Sequence, residues 1–247
     1  VIATAVLPLG DGLALVDPGP ASCLPALEAG LATHGWSLAD VRALLITHIH
    51  LDHAGATGSI VARHPQIAVH VHEHGAPHLV DPAKLLASAT RLYGAAMDTL
   101  WGDFIAPPAA NVRPLAGGER LTWRGRTLDV AYTPGHAVHH VSYLDSSDGT
   151  AFVGDTAGVR IGGEGLIAPT PPPDIDVEQW EASMERILAW HPVRLFLTHF
   201  AEVHAVPPHM AALRGVLREA ASEVRRWLDG DSDDAAKAAA HAAWMRD

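Results

Sequence analysis

One six-residue string limits this chain more than anything else in it: His48-Ile49-His50-Leu51-Asp52-His53, which follows the apolar run 43–46 and Thr47. Four side chains of metal-ligand type in six positions are too many for one helix face and too dense for a strand. They suit a loop whose side chains converge on two ions. Imidazole and carboxylate together favour zinc, iron, manganese or cobalt over calcium or magnesium. No cysteine lies nearby, which excludes a Cys-rich structural zinc site. The plain alternative is a histidine-rich surface loop, and it has to be weighed against the rest of the chain.

The rest of the chain repeats the pattern. The strand-like run 13–16 ends in Asp17, 128–132 in Thr133-Pro134-Gly135-His136, 151–153 in Gly154-Asp155, and 195–197 in Thr198-His199. Ligands carried on strand-end loops are held by a stiff scaffold yet stay open to solvent, as a catalytic site requires. Asp17 admits two readings: a partner for the free ring N–H of a ligand histidine or a loop amide, or a turn residue before Pro18-Gly19. His140, four residues after His136, reads either as a supporting residue behind the site or as a plain strand histidine. His139 points to the opposite face if the strand has begun by then.

Between these points the chain alternates strands and helices. Runs 2–9 and 13–16 read as strands joined by Gly10-Asp11-Gly12. Ser22 is expected to cap a helix to about His34 with Leu24, Leu27 and Leu31 on one face. A strand over 43–47, a helix over 54–63 and a strand over 67–71 continue a βαβ-like rhythm. Segment 72–115 breaks it. Asp81-Pro82 starts a helix, and Leu85, Leu86, Ala89, Leu92, Tyr93, Met97, Leu100 and Trp101 follow at helical spacing. The plain reading of that stripe is core packing; the sharper one is an insertion packed over the active-site mouth, and the two are compatible. Tyr93, Trp101 and the stiff loop 169–174 are candidates for substrate contact, with packing as the simpler account. Strands follow over 121–123, 127–132, 140–144, 151–153 and 195–198. Asp176 and Gln179 form a capping pair for a helix burying Trp180, Met184, Ile187 and Leu188. From Pro208 the tail reads as two helices split by Gly230, with Ser232 capping the second. No repeat or linker divides the 247 residues, so one domain over 1–247 is expected.

The formal net charge of −11 argues against nucleic acid as a partner, because phosphate backbones demand clustered Lys and Arg. No apolar run is long enough to span a membrane. No basic-then-apolar stretch marks a signal peptide, so a cytoplasmic location is expected. The chain opens on Val1 rather than Met, which leaves its natural start open. The single cysteine, Cys23, reads as a small packing residue and not a nucleophile. His72, His74 and His78 are placed to rim a cleft, with solvated loop histidines as the plainer reading.

The ordered set Thr47-His48-Ile49-His50-Leu51-Asp52-His53, Gly135-His136, Gly154-Asp155 and Thr198-His199 resembles the metallo-β-lactamase fold hydrolases over about residues 1–205. The resemblance implies an α/β fold, a four-layer αββα sandwich with metals at one edge of the paired sheets, here with a helical insertion over 72–115 and C-terminal helices over 208–247. It implies that His48, His50 and His136 hold one metal, that Asp52, His53 and His199 hold a second, that Asp155 bridges both, and that Asp17 steadies the His-rich loop. Two divalent transition-metal ions are expected, zinc first, with iron or manganese as alternatives. A bridging hydroxide with its pKa pulled toward neutrality would attack an acyl carbon while a metal polarises the carbonyl oxygen, and Asp52 would orient the hydroxide.

Departures from subfamily patterns narrow the function. β-Lactamases generally lack a bridging carboxylate at the position of Asp155. Flavodiiron oxidoreductases have Glu where His50 stands, and RNA-processing members need a basic surface. What remains is a small-molecule hydrolase of ester, thioester or lactone type, similar to glyoxalase II or to lactonases. The helical tail is similar to the glyoxalase II plan but shows no convincing glutathione-binding residues. A homodimer is compatible with the sequence. Two readings from other classes stand beside this one. One is a persulfide dioxygenase-like enzyme with a single iron. The other is a non-catalytic metal-binding module.

Overall fold

The computed structural model describes residues 2–160, 165–171, 173–229 and 233–244. Two sheets face each other. The first has the order β1-β2-β3-β4-β5, built from β1 (Ala5–Leu9), β2 (Gly12–Val16), β3 (Val41–Leu45), β4 (Ala68–His72) and β5 (Val112–Leu115). β1 and β2 form an antiparallel hairpin with Ala5 opposite Val16, and β2 to β5 run parallel. The second sheet has the order β11-β10-β9-β8-β7-β6. Its strands are β6 (Arg120–Trp123), β7 (Arg126–Tyr132), β8 (Val141–Asp145), β9 (Thr150–Phe152), β10 (Arg194–Leu197) and β11 (Ala201–Val203). β6 to β9 form an antiparallel meander, and β10 lies parallel to β9.

The period-2 alternation of strand side chains builds four layers. From β2, Leu13 and Leu15 point to a helical cluster, while Ala14 and Val16 point to the other sheet. The outer layer on the first sheet includes α1 (Leu24–Thr33) and, after α2 (Leu51–Ala54), α3 (Thr57–Arg63) and α4 (Ala76–Val80), which contribute Leu31, Ile60 and Leu79. Between the sheets Leu7, Leu45, Leu128, Val130 and Tyr143 interdigitate. On the far side, α7 (Val177–Leu188) and α8 (Val206–Leu228) bury Trp180, Met184, Met210 and Leu213 against Val153 and Leu197. Each such fully buried side chain contributes about 1.5–3 kcal/mol. α5 (Ala83–Tyr93) and α6 (Met97–Trp101) complete the segment between β4 and β5, and α9 (Asp234–Trp244) ends the described chain. No helix among the described residues is long and apolar enough to cross a membrane.

Several sequence expectations change in detail. Ser22 does not cap α1; it lies in a 3-10 turn (Ala21–Cys23), and its hydroxyl donates to the Leu100 carbonyl at 2.6 Å. The expected helix over 54–63 is two pieces, α2 and α3, because α2 begins inside the His-rich string itself. β5, β11 and the short α4 are additions to the elements expected from sequence. The Asp176 cap stands, its carboxylate accepting from the Gln179 amide at 2.8 Å. Of the apolar stripe over 85–101, only Ala89 is buried. Gly230 and Ser232 lie outside the described residues.

Candidate metal centre

The topology brings the ligand-type residues together. β2, β3 and β4 are parallel, so their C-terminal ends share one edge of the first sheet. In the second sheet β7, β9 and β10 all run the same way, because β7 and β9 are each antiparallel to β8 and β9 is parallel to β10. The loops after β2, β3, β7, β9 and β10 carry Asp17, His48 to His53, His136, Asp155 and His199 respectively. All of them meet at that common edge.

Among the described residues three overlapping groups of donor atoms result; two of them share no residue, and the third, His48 with His53 and Asp155, links them. In the first, His50 Nδ1 lies 2.9 Å from His48 Nε2 and 3.1 Å from His136 Nε2. A tetrahedral ion with imidazole bonds of ~2.0–2.1 Å spaces its ligand atoms about 3.3 Å apart, close to this triangle. In the second group, Asp52 Oδ2 lies 3.6 Å from His53 Nε2 and 3.4 Å from His199 Nε2. Asp155 stands between them. Its Oδ2 is 3.4 Å from His136 Nε2, while its Oδ1 is 3.3 Å from His53 Nε2 and 3.4 Å from His199 Nε2. One carboxylate thus turns one oxygen to each group.

Neighbouring hydrogen bonds set the tautomers. The Thr47 hydroxyl donates to Asp17 Oδ2 at 2.7 Å, so it accepts from His48 Nδ1 at 3.1 Å and leaves Nε2 with its lone pair toward the centre. His136 Nδ1 donates to the Pro169 carbonyl at 2.9 Å, and His53 Nδ1 to Asp17 at 2.9 Å, with the same result. Asp17 is fully buried and also accepts from the Thr47 amide at 2.8 Å and the Thr198 hydroxyl at 3.0 Å. Its backbone sits at φ 51, a left-handed conformation that Asp and Asn tolerate better than other non-glycine residues.

His140 lies fully buried behind Asp155. The Asp155 amide approaches its Nε2 at 3.3 Å, and its Nδ1 meets the Thr133 and Thr156 hydroxyls at 3.0 and 3.1 Å. The approach depends on Gly154, at φ 47, where a Cβ would lie 2.5 Å from His140 Nε2 and 2.6 Å from Thr47 Oγ1. The condition that would turn His139 to the opposite face is not met. The strand starts only at Val141, and a turn with His140 N to Ala137 O at 3.2 Å precedes it, so alternation does not yet apply and both histidines face inward. His72 stacks on Tyr132 at 4.2 Å, away from both donor groups, while His74 and His78 border the cleft beside them.

The donor set calls for cations. Burial, and then the neighbouring histidines, push His50 down to about 3 and His48 well below the ordinary imidazole range. Burial works to raise the Asp52 carboxyl, yet His53 and His199 bring it to about 2; His53 and His136 likewise hold Asp155 well below the usual carboxylate range. Burial opposes protonation of His53, but Asp52, Asp155 and Asp17 outweigh it and raise it well above its usual value. The positive charge these carboxylates demand thus falls on imidazoles, His53 foremost, with His199 beside it. His53 Nε2 and Asp155 Oδ1 are both buried, 3.3 Å apart, and neither makes a well-formed hydrogen bond. Leaving such atoms poorly paired is costly, and a divalent metal would satisfy both at once. The residues present fit such a group.

A cleft of about 1020 Å³ opens over the centre, with His50, Asp52, His136, Asp155 and His199 on its floor. Leu85, Leu92, Tyr93, Leu100 and Trp101 form one wall, and Pro169, Pro171 and Asp174 lie on its border. The Metallo-beta-lactamase superfamily profile matches residues 3–199, a span running from the strand before Asp17 to His199. The chain belongs to the metallo-β-lactamase superfamily. It is 29% identical over 165 residues to the metallo-beta-lactamase fold-containing protein ST1585 of Sulfurisphaera tokodaii, covering 63% of this chain and 59% of that protein. It is also 29% identical over 175 residues to a hydroxyacylglutathione hydrolase of Aeromonas hydrophila, covering 71% of this chain and 51% of that enzyme. The chain thus spans little more than half the length of these curated relatives. Among solved structures, the metallo-beta-lactamase family protein TTHA1429 of Thermus thermophilus superposes with a TM-score of 0.74 at 26% identity, over 93% of this chain and 78% of that one.

Proposed function

We propose that the protein is a metal-dependent hydrolase that cleaves the carbonyl of an ester, thioester or lactone, with two divalent transition-metal ions, zinc first among the candidates. The observation that carries this reading is the Asp155 carboxylate, whose two oxygens face two separate donor groups. His48, His50 and His136 would hold one ion, Asp52, His53 and His199 the other. Bound there, such ions supply an activated water and polarise a carbonyl oxygen.

The chain's own residues do the rest. Asp155 fixes the spacing of the two groups, and Asp17 and the Pro169 carbonyl keep His53 and His136 in ligand-competent tautomers. Asp52 is the more exposed of the two carboxylates on the cleft floor, with 23% of its side chain exposed against 5% for Asp155. It is the group able to orient a water and take its proton. The apolar cleft wall suits a neutral acyl body, and similarity to hydroxyacylglutathione hydrolases supports acyl–sulfur or acyl–oxygen cleavage. The test is metal content together with a hydrolysis panel of thioesters, lactones, aryl esters and phosphodiesters on metal-loaded protein. About two ions per chain and activity on an acyl substrate are expected. Full activity with a single ion, coupled to oxygen uptake on a persulfide, would overturn it.

A further inference from the structure

His139 is not one of the donor-group residues, yet it lines the cleft beside them. Its ring centre is 5.7 Å from that of His50 at a right angle, and 6.2 Å from that of His48, nearly parallel. The residue is 6% exposed, so it meets the cleft from a largely desolvated position. Its neighbours on this wall are wetter: His74 is exposed and His78 half-buried.

The hydrogen bonding of His139 fixes its protons. The Ile49 amide donates to Nδ1 at 3.4 Å. A nitrogen that accepts carries no hydrogen, so this ring is neutral with its proton on Nε2. That second nitrogen has no partner among the described residues, and it is not among the buried unpartnered atoms. Its open side is therefore the cleft. The base of the side chain is held by close packing: a Cβ at Gly75 would lie 3.2 Å from His139 Cβ and 2.9 Å from the Ile49 side chain. A rigid N–H donor in a low-dielectric wall, aimed at open space, is the arrangement that stabilises developing negative charge on a substrate oxygen.

We infer that His139 is a substrate-contacting residue, its Nε2–H donating a hydrogen bond to the acyl oxygen of a substrate seated on the His48–His50–His136 side of the centre. The inference rests on the acyl-hydrolase reading for its substrate class but not for its geometry.

Two substitutions separate this role from a merely structural one. In His139→Asn the amide oxygen can replace Nδ1 as acceptor for Ile49, while nothing reaches the place of Nε2. In His139→Gln the terminal amide reaches the place of Nε2, and the Ile49 contact is lost. Metal content, melting temperature, turnover and the binding of 2-hydroxybutyrate by calorimetry would be measured on metal-loaded protein. His139→Asn should keep metal and melting temperature, lose on the order of 10²-fold in turnover, and bind the hydroxy acid about tenfold more weakly. His139→Gln should melt earlier yet recover most of the turnover and binding. Asparagine at wild-type turnover and binding overturns the inference and leaves the hydrolase reading standing. A wild type inert on every acyl substrate, whose binding of the acid still weakens in His139→Asn, overturns the hydrolase reading and leaves the contact standing. A wild type that neither hydrolyses nor binds overturns both.

Discussion

The two sides of the cleft are built on opposite principles. Its floor comes from strand-end loops whose side chains are tied together across several elements: Thr47, His53 and Thr198 all donate to the buried Asp17 carboxylate. Its helical wall is tied loosely. Leu92, Tyr93 and Leu100 are 52%, 39% and 42% exposed, and α6 is held to the 3-10 turn before α1 by the bond from the Ser22 hydroxyl to the Leu100 carbonyl. α5 and α6 end at Gly94 and Gly102, both with positive φ, a conformation open to glycine at little cost. The floor fixes chemistry, where a misplacement of 1 Å is expensive. On the proposed reading the wall would set the shape of what enters, so that a change of residue there alters preference and little else.

That contrast can be broken most directly at the floor. Asp155→Ala should lower metal content and turnover together, because two cations would face each other without a shared carboxylate. Asp52→Ala should depress turnover on the order of 10²-fold or more even when metal is restored by excess. Metal stoichiometry and turnover across a zinc, manganese and iron titration measure both. Unchanged turnover in metal-saturated Asp52→Ala would leave that residue a structural one.

Next in size is Asp17→Ala. Removing a buried carboxylate that several donors share should cost about 3–5 kcal/mol. The left-handed backbone adds to it, so Asp17→Asn should be milder. Chemical denaturation of the three proteins tests this. If Leu92→Ala costs as much stability as Asp17→Ala, the distinction between floor and wall is wrong.

The smallest effect belongs to the wall. Leu92→Ala or Tyr93→Ala should shift kcat/KM between short and long acyl substrates by about tenfold, the scale of a changed apolar contact. Metal content and Asp52-dependent chemistry should stay as they are. Equal loss on all substrates would show that the wall supports the floor instead of selecting the substrate.

The floor is far more legible in the sequence than the wall. Ligand-type residues at strand ends are a signal that survives errors in strand boundaries: the strand expected over 43–47 ends at Leu45, yet His48 to His53 still fall beyond it at the sheet edge. Asp17, open between a turn residue and a supporting one, proves to be buried under the site because the first sheet's parallel order brings its loop to Thr47 and the docked second sheet adds Thr198. His139 escapes the sequence reading because period-2 alternation holds only once the strand has begun, two residues later. The apolar stripe over 85–101 gives no hint from spacing alone whether it faces a core or a cavity, because both reward the same periodicity. β5 and β11 are short, and β5 contains Pro114, which blurs the strand signal.

Both donor groups are drawn across the divide between the sheets. His48 and His50 come from the first sheet's loops and His136 from the second's; Asp52 and His53 come from the first and His199 from the second. Neither half of the chain owns a complete set. Metal held by these groups would thus report that folding has finished, because a chain with one sheet formed lacks a complete set. An ion once seated resists any motion that slides the sheets apart, and its binding energy is then mechanical strength along the seam between them.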